Sequence, residues 1–188
     1  MKLEPNSVGD LPQVASTAYV HDTATLIGNV VIGEDTFIGP CAVIRADETG
    51  PDGTVAPIVV GDGANVQDHV VIHALGGTAV TIGNSASLAH AAVIHGPCEI
   101  GTGCFVGFNS VVFKTTLKDN VVVLHQALVE GVTIPEGLHV PSMTAVGNED
   151  DVQSLTPATP DLLAFAKKVA RTNVALAQAG LSGKQGDG

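Results

Sequence analysis

At 188 residues the chain is the size of one ordinary domain and is long enough to bury a sizeable core. With no Trp, one Tyr and five Phe, that core must be filled by Val, Ile, Leu and Ala, with 22 Gly available for bends, which suits a narrow, regular interior. Eight Lys plus Arg against 19 Asp plus Glu give a formal charge of −11, which excludes nucleic acid as a partner, because phosphate backbones need clustered cations. The opening MKLEPNSVGD has no apolar run behind a basic segment, and no later stretch reaches the length of a membrane span. A soluble cytoplasmic protein with no membrane partner is therefore expected. Cys41, Cys98 and Cys104 are odd in number and sit at no metal-like spacing, which fits a reducing compartment better than a disulfide framework.

In chain order, the first feature is an aliphatic residue at every sixth position: Val14, Val20, Leu26, Ile32, Ile38 and Ile44. After an interruption come Val60, Val66 and Ile72. A second interruption precedes Ile82, Leu88, Ile94, Ile100, Val106 and Val112, and a five-residue step leads to Leu117, Val123 and Val129. Gly often follows the aliphatic residue, and the fifth place is small or β-branched, as at Thr36, Ala42, Ala64, Val70, Ala86 and Ser110. Neither a helix nor simple strand alternation has this period. It is the hexapeptide pattern of a mainly-β, parallel β-helix: each unit is one short strand and a corner, and three units make a coil about 4.8 Å from the next. Cys98 and Cys104 fall on inward fifth places and read as small buried hydrophobes.

The repeat fades near Val140. From Thr159 the sequence becomes TPDLLAFAKKVARTNVALAQAG, with Thr159 suited to an N-cap, Pro160 to the first helical position and Gly180 to the C-terminal cap. Leu162, Leu163, Ala166, Val169, Ala170, Val174 and Leu176 form its apolar stripe, expected to pack along the prism or on a neighbouring chain. The expected organisation is a β-helix domain over 1–150, a linker and C-terminal α-helix over 151–180, and a flexible tail over 181–188.

Three histidines stand out on this register. His73 and His95 each follow the aliphatic residue of the same face on successive coils, so they stack and two imidazoles can share one metal ion. His90 lies two places after Leu88, on the preceding face. The intervening chain and its corner keep it from the roughly 2.0–2.1 Å bond length that a zinc held by its own His73 and His95 requires. A neighbouring chain's His90 could reach it, which predicts a homotrimer with interfacial sites. Three neutral imidazoles leave a fourth tetrahedral position for water, and an ion there lowers the pKa of water to about 7. Arg45 occupies the column of His73 and His95, Asp68 lies one coil before His90, and Gln67 is beside it. These can orient ligands, and Arg45 and Asp68 can instead act as intersubunit ion-pair residues. His21, His69, His125 and His139 read as solvated surface.

The runs IRADE (Ile44 to Glu48), NVQDHVVIHAL (Asn65 to Leu75), IGNSASLAHAAVIHGP (Ile82 to Pro97) and GVTIP (Gly131 to Pro135) resemble the archaeal-type γ-class carbonic anhydrases, over about residues 14 to 150. The resemblance implies a left-handed coil and reversible hydration of CO2 to bicarbonate. It further implies Zn2+, or Fe2+ or Co2+ in its place, held by His73 and His95 of one chain and His90 of the next. By the same resemblance Gln67 would hold the attacking hydroxide, and Arg45 would help bind bicarbonate and tie subunits together with Asp47. Glu48 matches an acid implicated in turnover, Asn65 and Asp68 would belong to the surrounding polar network, and Asn173 would contact substrate.

Prototype members carry a long acidic loop after the first metal histidine, whereas here only ALGGTAVT (Ala74 to Thr81) intervenes, without an acid. Arg171 stands where the family has a Tyr two places before the helix Asn. The chain thus resembles the short, loop-less subclass, leaving Glu48 or buffer to move the proton. Two other functions remain open: a non-catalytic metal-binding or scaffold subunit, and a hexapeptide acyltransferase in which a histidine serves as general base without a metal.

Overall fold

A six-residue aliphatic period can point every aliphatic residue at one axis only if the chain turns after each unit. The computed structural model, which describes residues 1–186 and the side chains of residues 1–183, has this form. Three sheets of eight, seven and eight strands make the sides of a prism. The first, the histidine face, runs Lys2–Glu4, Thr25–Gly28, Val43–Ala46, Val71–Ala74, Val93–Gly96, Val111–Phe113, Leu128–Glu130 and Ala145–Val146. The second begins at Gln13–Val14 and ends at Thr133–Ile134. The third, the helix face, includes Tyr19–Val20, Phe37–Ile38, Asn65–Val66, Ser87–Leu88, Phe105–Val106, Val122–Val123 and Leu138–Val140. Neighbouring strands pair in parallel, one coil apart, as in Val80 with Cys98 and Ile72 with Ile94. At the end of the stack Thr156–Pro157 pairs antiparallel with Leu138–Val140. The repeat thus continues past Val140, through Ala145–Val146.

The interior follows the sequence register. Leu26, Ile38, Ile44, Val66, Ile72, Leu88, Ile94, Val106, Val112 and Val129 are fully buried, and each Ile or Leu contributes about 1.5–3 kcal/mol by leaving water. The small fifth places interleave between them, with Ala42, Ala86 and Cys104 also inside. Where a fifth place is polar, its hydroxyl reaches the next coil: Ser110 Oγ donates to the Leu124 carbonyl at 2.7 Å, and Thr36 Oγ1 to the Gly61 carbonyl at 3.1 Å. Burial pushes the Cys104 thiol up to about 12 and raises that of Cys98. Both thiols therefore stay neutral, in keeping with their reading as core.

Two corner insertions interrupt the register, and both follow the histidine face. Residues 47–57 form one and residues 75–79 the next, and they stack: the Gly76 N–H donates to Glu48 Oε2 at 3.0 Å. Gly76 is required there, because a Cβ would lie 2.4 Å from the Thr49 carbonyl oxygen.

Among the described residues two helices follow the coils, α1 (Glu149–Ser154) and α2 (Pro160–Gly186). The segment after residue 150 therefore carries the rest of α1 and the antiparallel strand before α2 begins. Helix α2 packs on the helix face through Ala166, Ala170, Asn173 and Ala177, a one-sided pattern of mostly small residues that lets the helix approach closely. Gly180 is not a cap, since α2 runs on through 181–186, where the sequence predicted a flexible tail; residues 187–188 lie outside the described residues. Gly180 instead lies against the Tyr19 ring, 2.5 Å from where a Cβ would stand. Leu176, placed by periodicity on the packed stripe, is 49% exposed because the buried arc passes through Asn173 and Ala177. Among the described residues no helix is long and apolar enough to cross a membrane.

Candidate metal centre

Because Ile72 and Ile94 pair in register and point inward, His73 and His95 project outward side by side. His73 Nδ1 lies 3.1 Å from His95 Nε2, with ring centroids 5.0 Å apart and planes at 77°. The outer nitrogens decide the tautomers. His73 Nε2 faces Asp47 Oδ1 at 3.2 Å and Glu48 Oε1 at 3.5 Å, and both oxygens only accept. His95 Nδ1 faces the Gly96 carbonyl at 3.3 Å. Each outer nitrogen is therefore assigned the ring's single proton, and each inner nitrogen carries a lone pair. Two lone pairs at this distance repel unless a cation or a shared proton lies between them. Zinc with bonds of about 2.0–2.1 Å in tetrahedral geometry sets its nitrogens roughly 3.3 Å apart, so the donor pair fits a divalent ion.

The stacked corner insertions explain how the carboxylates arrive there. Arg45 pairs with His73 from the preceding coil, and its Nη1 donates to Asp47 Oδ2 at 2.9 Å. One carboxylate thus bridges Arg45 and His73. His73 is almost fully buried and Asp47 is largely so, whereas half of Glu48 reaches solvent.

A second polar group lies around the corner, between the helix face and α2. Asp68 Oδ2 is 3.4 Å from His90 Nδ1, the one-coil relation expected from the register. The His90 ring tilts against Phe108 at 5.4 Å, and Phe108 stacks on His125 at 4.3 Å. Gln67 Nε2 donates to Asn173 Oδ1 at 2.7 Å and to Asn65 Oδ1 at 3.0 Å. Asn65 Nδ2 in turn donates to Ser87 Oγ at 2.7 Å, and Asn173 Nδ2 to the Val169 carbonyl at 2.9 Å. Both Nε2 protons of Gln67 are thereby engaged, which leaves Oε1 as the acceptor of a side chain that lines a cavity of about 330 Å³. Asn65, Gln67, His90 and Asn173 all line that cavity.

Within one chain the candidates form two groups. Arg45, Asp47, Glu48, His73 and His95 meet on the histidine face; Asn65, Gln67, Asp68, His90 and Asn173 meet on the helix face. Among the described residues, no three His, Cys, Asp or Glu side chains of one chain gather as a metal-holding set. Arg171 lines a different cavity, on the other side of α2. His125, read from the sequence as solvated surface, is half-buried and accepts from the Phe108 backbone N–H at 3.1 Å; His139 Nδ1 meets the Thr156 carbonyl at 3.1 Å. The aromatic ladder from His90 through Phe108 to His125 went unseen in the sequence, although 90, 108 and 125 keep the coil spacing that stacks them.

Residues 79–114 match the family model Bacterial transferase hexapeptide (six repeats). Over 169 residues the chain is 36% identical to the carbonic anhydrase of Methanosarcina thermophila, covering 80% of this chain and 66% of that one. The chain belongs to the γ-class carbonic anhydrase family. A second relative of this γ-class member is the carboxysome assembly protein CcmM of Nostoc sp., 37% identical over 174 residues, which make up 87% of this chain and 30% of CcmM. The chain therefore spans under a third of one curated relative and about two thirds of the other. A solved hexapeptide transferase family protein from Anaplasma phagocytophilum is 26% identical with a TM-score of 0.78, covering 95% of this chain and 97% of that one.

Proposed function

We propose that this chain is a carbonic anhydrase of homotrimeric form, in which His73 and His95 of one subunit and His90 of the next hold a zinc ion, or iron or cobalt in its place. The observation that carries this reading is the set of outer-nitrogen partners. Asp47 and Glu48 face His73, the Gly96 carbonyl faces His95 and Asp68 faces His90, so each imidazole has a polar acceptor opposite one nitrogen. Such partners hold ligand histidines in the correct tautomer and orientation. The ion, when bound, supplies hydroxide at neutral pH by lowering the pKa of water to about 7.

The chain's own residues do the remaining work. Gln67, held by Asn65 and Asn173, presents Oε1 to accept the O–H of the attacking oxygen and so aims its lone pair at CO2. Arg45, anchored on Asp47, stands in the ligand column as the cation for bicarbonate and for the neighbouring subunit. Glu48 touches His73 and reaches solvent, which suits it to pass the released proton to buffer in place of an acidic loop. The third ligand comes from another chain, since His90 opens onto the helix-face cavity and not toward His73. An apolar column on the histidine face supports an interface there: Val71 and Leu128 are 37% and 40% exposed and flank Val93, Val111 and Phe113.

Mixing variants tests the shared site. His73→Ala and His90→Ala trimers should each lack hydratase activity and tightly held zinc. After co-refolding at equal amounts, about a quarter of the interfaces should join an intact pair to an intact His90, restoring that share of activity and zinc. Failure to recover either would refute a site shared between chains. The likeness to CcmM favours a second reading, a metal-holding assembly subunit. Stoichiometric zinc without CO2 hydration, together with stable co-purifying partners, would select it.

A further inference from the structure

The cavity beside His90 has two unlike walls. Phe105, Phe108, Phe165 and Leu176 make one apolar, while Asn65, Gln67 and Asn173 make the other polar. Phe165 and Leu176 are 44% and 49% exposed, so this apolar surface is not consumed by packing within the chain. Helical period sets the cavity-lining edge of α2: Phe165, Lys168, Thr172 and Leu176 follow one another at three- and four-residue steps and all line the space. Among the lining residues Lys168 is the one cation, and no carboxylate is present. Lys167 and Arg171 face a separate cavity across the helix.

A chain of formal charge −11 repels anions as a whole, so a site that takes up or releases an anion needs a local cation. We propose that Lys168 is a second bicarbonate-binding cation, acting from this cavity as Arg45 acts from the histidine face, while the phenylalanine wall receives neutral CO2. This assignment rests on the carbonic anhydrase reading. The ammonium retains the anion beside the Gln67 and Asn173 amides, and an apolar wall accepts CO2 without competing for its oxygens. Lys168 touches bound anion and takes no part in bond making.

The test uses the full-length assembled protein loaded with cobalt(II), titrated with sodium bicarbonate at constant ionic strength and followed by visible absorption. Lys168→Met should weaken bicarbonate binding about three- to fivefold, the range for an ion pair reached by solvent, with cobalt content unchanged. Lys168→Arg should restore most of the affinity. Lys167→Met, which changes the net charge equally on the other side of α2, should match the parent protein. Equal effects of the two Met variants would overturn the proposal, because a general field would then explain both. An unchanged affinity in Lys168→Met, or its loss of cobalt, would also overturn it. If the parent cobalt protein does not respond to bicarbonate, the carbonic anhydrase reading itself fails and takes this assignment with it.

Discussion

Replacing Asp47 by Asn should switch the tautomer of His73 and weaken zinc binding without unfolding the chain. Asp47 has two obligations, Oδ2 accepting from Arg45 Nη1 at 2.9 Å and Oδ1 facing His73 Nε2 at 3.2 Å. An Asn side chain has one oxygen, and the guanidinium can only donate, so that oxygen stays with Arg45. The new NH2 then donates to His73 Nε2, which must accept, and the ring proton moves to Nδ1, the nitrogen facing His95 at 3.1 Å. Losing a carboxylate behind a ligand histidine costs about 10–100-fold in metal affinity, roughly 1.4–2.7 kcal/mol. Glu48 Oε1, at 3.5 Å and half exposed, remains as a partial substitute. The single variant should therefore lie near the lower bound, about tenfold, and Asp47→Asn with Glu48→Gln near the upper. A chelator-competition titration of zinc on the assembled protein measures this, and the ring nitrogen shifts of His73 report the tautomer. Affinities within twofold of the parent for both variants, at equal thermal stability, would refute the reasoning.

Two further outcomes test the fold. A Cβ at Gly83 would lie 2.7 Å from the Gly101 carbonyl carbon and the Thr102 nitrogen, both backbone atoms of the next coil, so Gly83→Ala should cost about 1–3 kcal/mol and lower the urea midpoint. An unmoved midpoint would mean that adjacent coils spread freely. Burial holds the Cys104 thiol at about 12 against an ordinary 9.0, so the unfolded chain releases this proton first as pH rises. Its contribution is intact below about pH 9 and then declines by about 1.4 kcal/mol per pH unit toward about pH 12. Urea midpoints at about pH 8 and about pH 10 should therefore fall further in the parent than in Cys104→Ala. Equal falls would contradict a neutral buried thiol.

The core was legible because every aliphatic repeat position from Val20 to Val129 is buried, across both insertions and the five-residue step, and register alone stacked His73 on His95 and Asp68 before His90. The corners were less legible. Positive φ recurs three residues after the aliphatic position, but Cys41, His69, Ala91 and Met143 occupy it as well as Gly63 and Asn120, so residue type does not announce the turn. Gly33, Gly61 and Gly83, which looked like bend residues, are instead points where one coil approaches the next. Asn173 meets Gln67 across 106 residues, a contact set by how α2 lies on the prism, which no local pattern encodes. The extent of α2 was underestimated because Gly180 resembles a stop signal, while its actual constraint is the Tyr19 ring beside it. The sharing of His73 between Asp47 and Glu48 needed the two corner insertions to stack, a tertiary relation between loops.

The eighteen-residue coil, seen where Val80 meets Cys98, gives every outward side chain an address made of a face and a floor. Duplicating a whole coil beyond the strand Val111–Phe113 would add a floor and keep the strand pairings below it, but it would carry the start of α2 one floor away and part Asn173 from Gln67. Deleting one residue within the strand Val93–Gly96, ahead of His95, would do the opposite: the alternation would invert there, histidine would turn into the core and isoleucine out to water. Evolution of such a chain is therefore freest at the corner balconies, held in whole storeys by the helix laid across them, and nearly forbidden in single steps along a wall.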